Sequence, residues 1–201
     1  AGYIFFFISF LEYSNHQYKA MKNAYAGHLK YSFQLRPHTV ADQAYIGAYQ
    51  GIGVGYFNFG NPEELGNPLA VYLFQGGRIA QFSPRISLNY EWNFGASFGW
   101  KPYDEYDNPE NQIIGSKVNA YLNVNLYLKW ALSPKFDLMI GATGSHFSNG
   151  NTQYPNSGLN TVDCKVGLVY NFNRRADELA QSWQHPIVPP FPRHVSYDLT
   201  L

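Results

Sequence analysis

From residue 25 the chain alternates. Tyr25, Leu29, Tyr31, Phe33 and Leu35 are apolar, while His28, Lys30, Ser32, Gln34 and Arg36 are polar. The same period runs through 86–100, where Ile86, Leu88, Tyr90, Trp92, Phe94, Phe98 and Trp100 stand against Ser87, Asn89, Glu91 and Asn93. It returns over 118–132, with Val118, Leu122, Val124, Leu126, Leu128, Trp130 and Leu132 against Asn119, Asn123, Asn125 and Lys129. A two-residue period puts successive side chains on opposite faces of a β-strand, and no stretch shows a helical period of comparable length. These runs are about twice as long as a typical globular strand. A tilted strand crossing a bilayer needs about 9–11 residues with one wholly apolar face, and these have it.

Turn residues divide the rest. Ser83-Pro84-Arg85 and Ser133-Pro134-Lys135 are tight connections, whereas longer polar links lie near 12–23, 60–68, 101–115 and 149–157. The pattern predicts eight strands, at about 2–11, 24–36, 45–59, 69–83, 86–100, 116–132, 136–148 and 158–172. Gly51, Gly53 and Gly55 blur the third, and strand curvature is the expected reason, since no helix follows to make a phosphate loop. Short turns alternate with long loops, as in an outer-membrane barrel with short periplasmic turns. The expected fold is therefore all-β: an eight-stranded antiparallel transmembrane β-barrel with both termini periplasmic. Its apolar face meets lipid, and its Asn, Lys, Glu and Asp face fills a lumen too narrow for a channel.

Composition narrows the classes. The 201 residues suit one domain, and 14 Lys and Arg balance 14 Asp and Glu, so no basic footprint points to nucleic acid. Charged residues are only 14% while aromatics reach 18%. A single cysteine, Cys164, excludes a disulfide framework and a Cys-rich zinc site; on the apolar face it reads as filler. Mean hydropathy is −0.32, which excludes a bundle of membrane helices. The apolar start, Tyr3 to Leu11, lacks a basic flank and a cleavage site, so it is not read as an intact signal peptide. A soluble β-sandwich or lipocalin-like carrier is the alternative, but strand length, low charge and aromatics near strand ends favour the membrane. Residues 1–173 read as the barrel. Residues 174–201, with Pro186, Pro189, Pro190 and Pro192, read as a periplasmic extension.

The candidate chemistry lies at the end of the seventh strand. Its even positions form the apolar set, yet His146 and Ser148 fall in it. Polar side chains on a face meant for hydrocarbon are costly and point to function. With a rise of about 3.3 Å per residue and a tilt of about 45°, Ser148 stands roughly 28 Å above the Phe136 end, at the border of the outer leaflet. On the eighth strand Asn160 is the polar exception, and a hairpin symmetric about Gln153 sets it opposite His146. Asp163, the nearest carboxylate, has the other parity and points into the lumen. Ser148, His146 and Asn160 thus have the arrangement of a nucleophile, a base and a group that fixes the imidazole. Asn149, Gly150 and Asn156 in the following loop are candidate oxyanion donors.

The stretch HFSNGNTQYPNSGLN (146–160) resembles the H-x-S-N…P-N-x-G segment of the outer-membrane lipid A 3-O-deacylases, the PagL family. Residues 87–103 and 114–121 resemble its Bacteroidetes branch, often labelled acyloxyacyl hydrolases. The resemblance covers most of 45–172. It implies an eight-stranded barrel that cleaves an ester-linked acyl chain from the lipid A of lipopolysaccharide, with Ser148 as nucleophile, His146 as base and Asn156 in the active site. It calls for membrane lipid around the barrel and for no metal or cofactor. It also implies a Glu at the third position, where this chain has Asn160.

The remaining polar residues have plainer readings. His16, His28, His38, His185 and His194 show no metal spacing. Lys117, Lys129, Glu91, Asp163 and Lys165 are expected as lumenal ion pairs, and Trp92, Trp100 and Trp130 as interfacial girdles. The rival to an enzyme is a catalytically silent scaffold barrel that docks an envelope partner through 174–201.

Overall fold

A computed structural model describes residues 2–14, 20–34, 45, 47–174 and 176, with only the backbone described for 2–14 and 20–23. Eight strands follow in chain order: β1 (Gly2–Ser14), β2 (Ala20–Gln34), β3 (Tyr49–Asn58), β4 (Gly66–Gln81), β5 (Ile86–Trp100), β6 (Val118–Ala131), β7 (Phe136–Ser148) and β8 (Leu159–Asn171). Each pairs antiparallel with its neighbour in sequence, and β8 returns to pair with β1. The sheet closes, so no edge is left unpaired. The strand ends depart from expectation where polarity was taken for a loop. β1 and β2 run on into the 12–23 link as far as Ser14 and Ala20, with a register shift between Leu11 and Tyr13. A backbone ladder needs no apolar side chain to continue. β3 begins at Tyr49 instead of 45 and β4 at Gly66 instead of 69. The link 37–44 and the extension beyond Arg174, apart from residue 176, lie outside the described residues, as do His16, His38, His185 and His194.

Alternation decides what faces where. Phe33, Ile52, Leu73, Phe94, Val124 and Ile140 are all more than half exposed on the outer wall, while Asn89, Glu91, Asn93, Asn123, Asn125 and Lys165 are buried inside. A lipocalin or sandwich would bury the apolar set, so the soluble alternative is overturned. An apolar exterior of this extent requires an apolar solvent.

The interior is a hydrogen-bonded stack. Lys30 and Glu91 form an ion pair with side-chain exposures of 2% and 0%. Glu91 also accepts from Tyr49 Oη at 3.1 Å and Asn125 Nδ2 at 3.2 Å, and Lys165 Nζ donates to Asn125 Oδ1 at 2.6 Å. His28 Nδ1 lies 2.9 Å from Tyr72 Oη. Room for these rings comes from β3: a Cβ on Gly53 would lie 2.5 Å from the Tyr72 ring, and one on Gly51 would lie 2.1 Å from the Tyr31 carbonyl oxygen. The glycines there admit neighbouring atoms and do more than bend the strand. Two sequence expectations fail nearby. Lys117 is exposed at the rim and not a lumenal partner, because it precedes the first residue of β6. Trp100 is only 3% exposed, its ring stacked on Phe59 inside the barrel, whereas Trp92 and Trp130 do stand on the outer wall.

At the short-turn end, Ser83 Oγ accepts from the Ile86 N–H at 3.1 Å and Ser133 Oγ from the Phe136 N–H at 3.0 Å, which explains both Ser-Pro turns. Arg174, just past β8, pairs with Asp137 at 2.6 Å and donates to the Pro134 carbonyl at 3.0 Å. This lashes the barrel's exit to the β6–β7 turn.

Removing Glu91 takes the carboxylate of the ion pair away from Lys30 in the lumen, a loss on the order of 3–5 kcal/mol. Glu91→Ala is expected to lower the temperature at which the folded barrel loses its fast electrophoretic mobility in detergent. A Lys30→Met/Glu91→Leu double variant is expected to recover most of that shift.

Candidate active site

The end of β7 is fixed from within. Phe147 has no exposed surface, and its ring packs at 5.0–5.6 Å from those of Phe57, Phe59, Trp100 and Tyr121. Edge-to-face and offset ring pairs at such spacing each add about 0.5–1.5 kcal/mol beyond area burial. Because a strand alternates, pinning Phe147 inward forces His146 and Ser148 outward. This aromatic plug escaped the sequence reading, although the parity that sends His146 out also sends Phe147 in.

Across the ladder, His146 is paired with Asn160, as the symmetric hairpin predicts. His146 Nδ1 lies 2.8 Å from Asn160 Oδ1. A carbonyl oxygen can only accept, so Nδ1 is the donor in this contact, and in the neutral ring the lone pair is then on Nε2. Asp163 points inward as expected and accepts from Thr161 Oγ1 at 3.3 Å, so it is out of reach of the ring. The third position beside the imidazole is held by a neutral amide.

Ser148 Oγ accepts two hydrogen bonds, from the Gly150 N–H at 3.1 Å and from Asn156 Nδ2 at 3.0 Å. The Asn156 amide also donates to Asn151 Oδ1 at 3.0 Å and accepts from the Asn149 N–H at 3.2 Å. Asn149 gives its side-chain amide to the Gln153 carbonyl at 2.8 Å. Of the three expected donors, Gly150 and Asn156 converge on the hydroxyl, whereas Asn149 donates its backbone N–H to Asn156 and its side-chain amide to Gln153. In this arrangement Asn149 holds Asn156 in place. Its side-chain oxygen, Oδ1, is buried without a partner among the described residues.

Gly158 closes the site on the β8 side with φ +71°, and a Cβ there would come within 3.2 Å of His146 Cε1. A side chain at Gly158 would crowd the imidazole. The loop 101–117 touches the hairpin through Gln112 and Ile113, and within it the N–H groups of Asp107 and Tyr106 hold the Asp104 carboxyl below the usual carboxylate range. The hydroxyl with two donors on its oxygen shares an outward face with an imidazole engaged through Nδ1, and no hydrogen bond joins the two among the described residues; groups so placed can serve nucleophilic acyl transfer once substrate brings them together.

Comparison with known proteins follows the same line. A family model described as lipid A 3-O-deacylase (PagL) matches residues 6–169. Among solved structures, the chain is similar to Neisserial surface protein A (NspA), at 10% identity and TM-score 0.60, over 85% of this chain and 97% of that one. It is similar to the outer membrane enzyme PagL, at 16% identity and TM-score 0.50, over 82% and 97%. The N-terminal β-barrel domain of Pseudomonas aeruginosa OprF matches at 12% identity and TM-score 0.50, over 85% and 96%. At such identities these likenesses show the outer-membrane barrel fold alone. No curated protein sequence matches the chain.

The tautomer is directly measurable. Nitrogen NMR of His146 in detergent micelles is expected to show the neutral ring protonated on Nδ1, and Asn160→Ala to return it to a mixture.

Proposed function

The chain belongs to the PagL family of lipid A 3-O-deacylases, and from that membership we propose that Ser148, His146 and Asn160 are its catalytic residues on the lipid-facing wall of the barrel. Lipid A is the family's substrate, and the outer membrane is its place. The long-loop end, where Ser148 stands, then faces the outer leaflet, and both termini lie on the periplasmic side. An acyl chain reaches the site laterally through the membrane.

Ser148 Oγ attacks the ester carbonyl of the bound acyl chain as His146 Nε2 takes its proton. The Gly150 N–H and the Asn156 amide, now aimed at the resting hydroxyl, lie close to where the carbonyl oxygen becomes an oxyanion. Collapse of the tetrahedral intermediate breaks the bond to the sugar oxygen, which leaves with the proton from His146. A water activated by the freed Nε2 then cleaves the acyl-enzyme and releases the fatty acid. In the resting arrangement the Ser148 oxygen is engaged by Gly150 and Asn156, and its own proton is free to point at Nε2 once substrate closes the site.

The observation that carries this reading is the 2.8 Å contact of His146 Nδ1 with Asn160 Oδ1 on the same outward face as Ser148. An Asn in place of an acid costs a serine protease about 10⁴ because the wrong tautomer results, whereas thiol proteases work with Asn. Here the amide oxygen faces the ring and keeps the useful tautomer. What it lacks is a charge to stabilise the imidazolium.

The test is the mass of lipid A after incubation with the barrel in detergent. Loss of one acyl unit is expected, and Ser148→Ala and His146→Ala are expected to abolish it. Asn160→Glu should turn over at least as fast as the native chain, and Asn160→Ala at least tenfold slower. A scaffold barrel would release nothing in any form.

A further inference from the structure

The loop between β5 and β6 is built around one side chain. Asn111 has no exposed surface. Its Oδ1 accepts from the N–H groups of Ile113 at 2.9 Å and Ile114 at 3.0 Å. Its Nδ2 donates to the Lys101 carbonyl at 2.8 Å and the Glu64 carbonyl at 3.2 Å. One amide thus ties the exit of β5 and the β3–β4 loop to a tight turn at 111–114. That turn seats Ile113 and Ile114, 2% and 0% exposed, in the same buried cluster as Trp100 and Phe147.

The turn also grips the hairpin that carries the reacting groups. The Ile113 carbonyl accepts the Gly158 N–H at 3.2 Å, and the Gln112 carbonyl accepts Ser157 Oγ at 2.9 Å. Gly115 passes so close that a Cβ on it would lie 2.7 Å from the Pro155 carbonyl oxygen and 2.9 Å from the Tyr154 carbonyl carbon. Those atoms are backbone and cannot swing aside. At the far end of this contact, the Cβ position of Gly158 is 3.2 Å from His146 Cε1 and 3.8 Å from Ser148 Cβ. Gly158 leads directly into Leu159 and Asn160, which pair across the ladder with Phe147 and His146, so a displacement of its backbone is carried along β8 to the partners of the β7 end.

We propose that Asn111 is a positioning residue for the Ser148–His146 pair, acting through the Ile113 carbonyl and the Gly158 N–H. This rests on the catalytic reading given above. Asn111 touches no reacting atom; it sets where Gly158 sits, and Gly158 starts the β8 segment whose next residues pair with Phe147 and His146. Misplacement of reacting groups by about 1 Å costs on the order of 10²-fold in rate. Substrate approaches from the lipid side, away from Asn111, so the effect falls on kcat and spares KM.

The experiment compares the native chain with Asn111→Ala, Asn111→Asp and Gly115→Ala, all in detergent with lipid A as substrate. Three quantities are read: kcat and KM for acyl release, hydrogen exchange of the Gly158 amide, and barrel closure by electrophoretic mobility. Asn111→Ala is expected to keep a closed barrel, expose the Gly158 amide to exchange, and lower kcat roughly ten- to hundredfold with KM within about twofold. Asn111→Asp keeps the acceptor for Ile113 and Ile114 and is expected to fall between. Gly115→Ala pushes the hairpin from the other side and is expected to lower kcat with the amide still protected. If Asn111→Ala does not close, Asn111→Asp and Gly115→Ala carry the test. A native kcat in the closed variants, or a Gly158 amide unmoved in both Asn111 variants, overturns the positioning role. Acyl release that is absent in the native chain, or survives Ser148→Ala, overturns the catalytic reading instead, and the two failures are told apart by the Ser148→Ala control.

Discussion

The inward lock on Phe147 is the constraint on which the site depends. A strand offers each residue only two directions, and a shift of one residue exchanges them all. Four rings hold Phe147 inside the barrel, so the polar neighbours on either side have nowhere to go but out. The ladder then sets His146 beside Asn160 without any further device. The outward placing of these polar groups follows from packing on the opposite face of the same strand.

The lumen supplies the stiffness that such an arrangement needs. Lys30, Glu91, Tyr49, Asn125 and Lys165 satisfy one another in a space with little room for water, so the wall behind the site has few ways to deform. The aromatic plug above this polar stack seals the long-loop end. Polar groups fill the middle of the barrel, rings fill its top, and His146, Ser148 and Asn160 stand on the outside of the sealed part.

Much of this was legible in the chain. The two-residue period of 86–100 and 118–132 reports strand, face and length together, because lipid on one side and a polar lumen on the other leave no ambiguity of direction. His146 and Ser148 were visible as violations of that period, and Asn160 as their mirror across Gln153. The period loses force at the strand ends, where both faces meet water or other loops. Hence β1 and β2 outran their expected limits, Lys117 was misplaced by parity, and Trp100 was read as a girdle residue when its ring caps the interior. The roles of Asn111 and Asn149 were out of reach for a different reason. Each acts through backbone carbonyls and N–H groups that only the folded loops bring near, and no spacing along the chain records that.

The neutral amide at position 160 bears on how deep such chemistry can be placed. Asn160 stands on the exterior, where the surrounding medium solvates ions poorly. A carboxylate at the same place would bring a charge to a neighbouring imidazolium, but it would also bring a group that can itself gain a proton. An amide dipole loses far less on leaving water and keeps the same direction at any pH. The group that meets the imidazole on this wall therefore has no proton to gain or lose over the ordinary pH range.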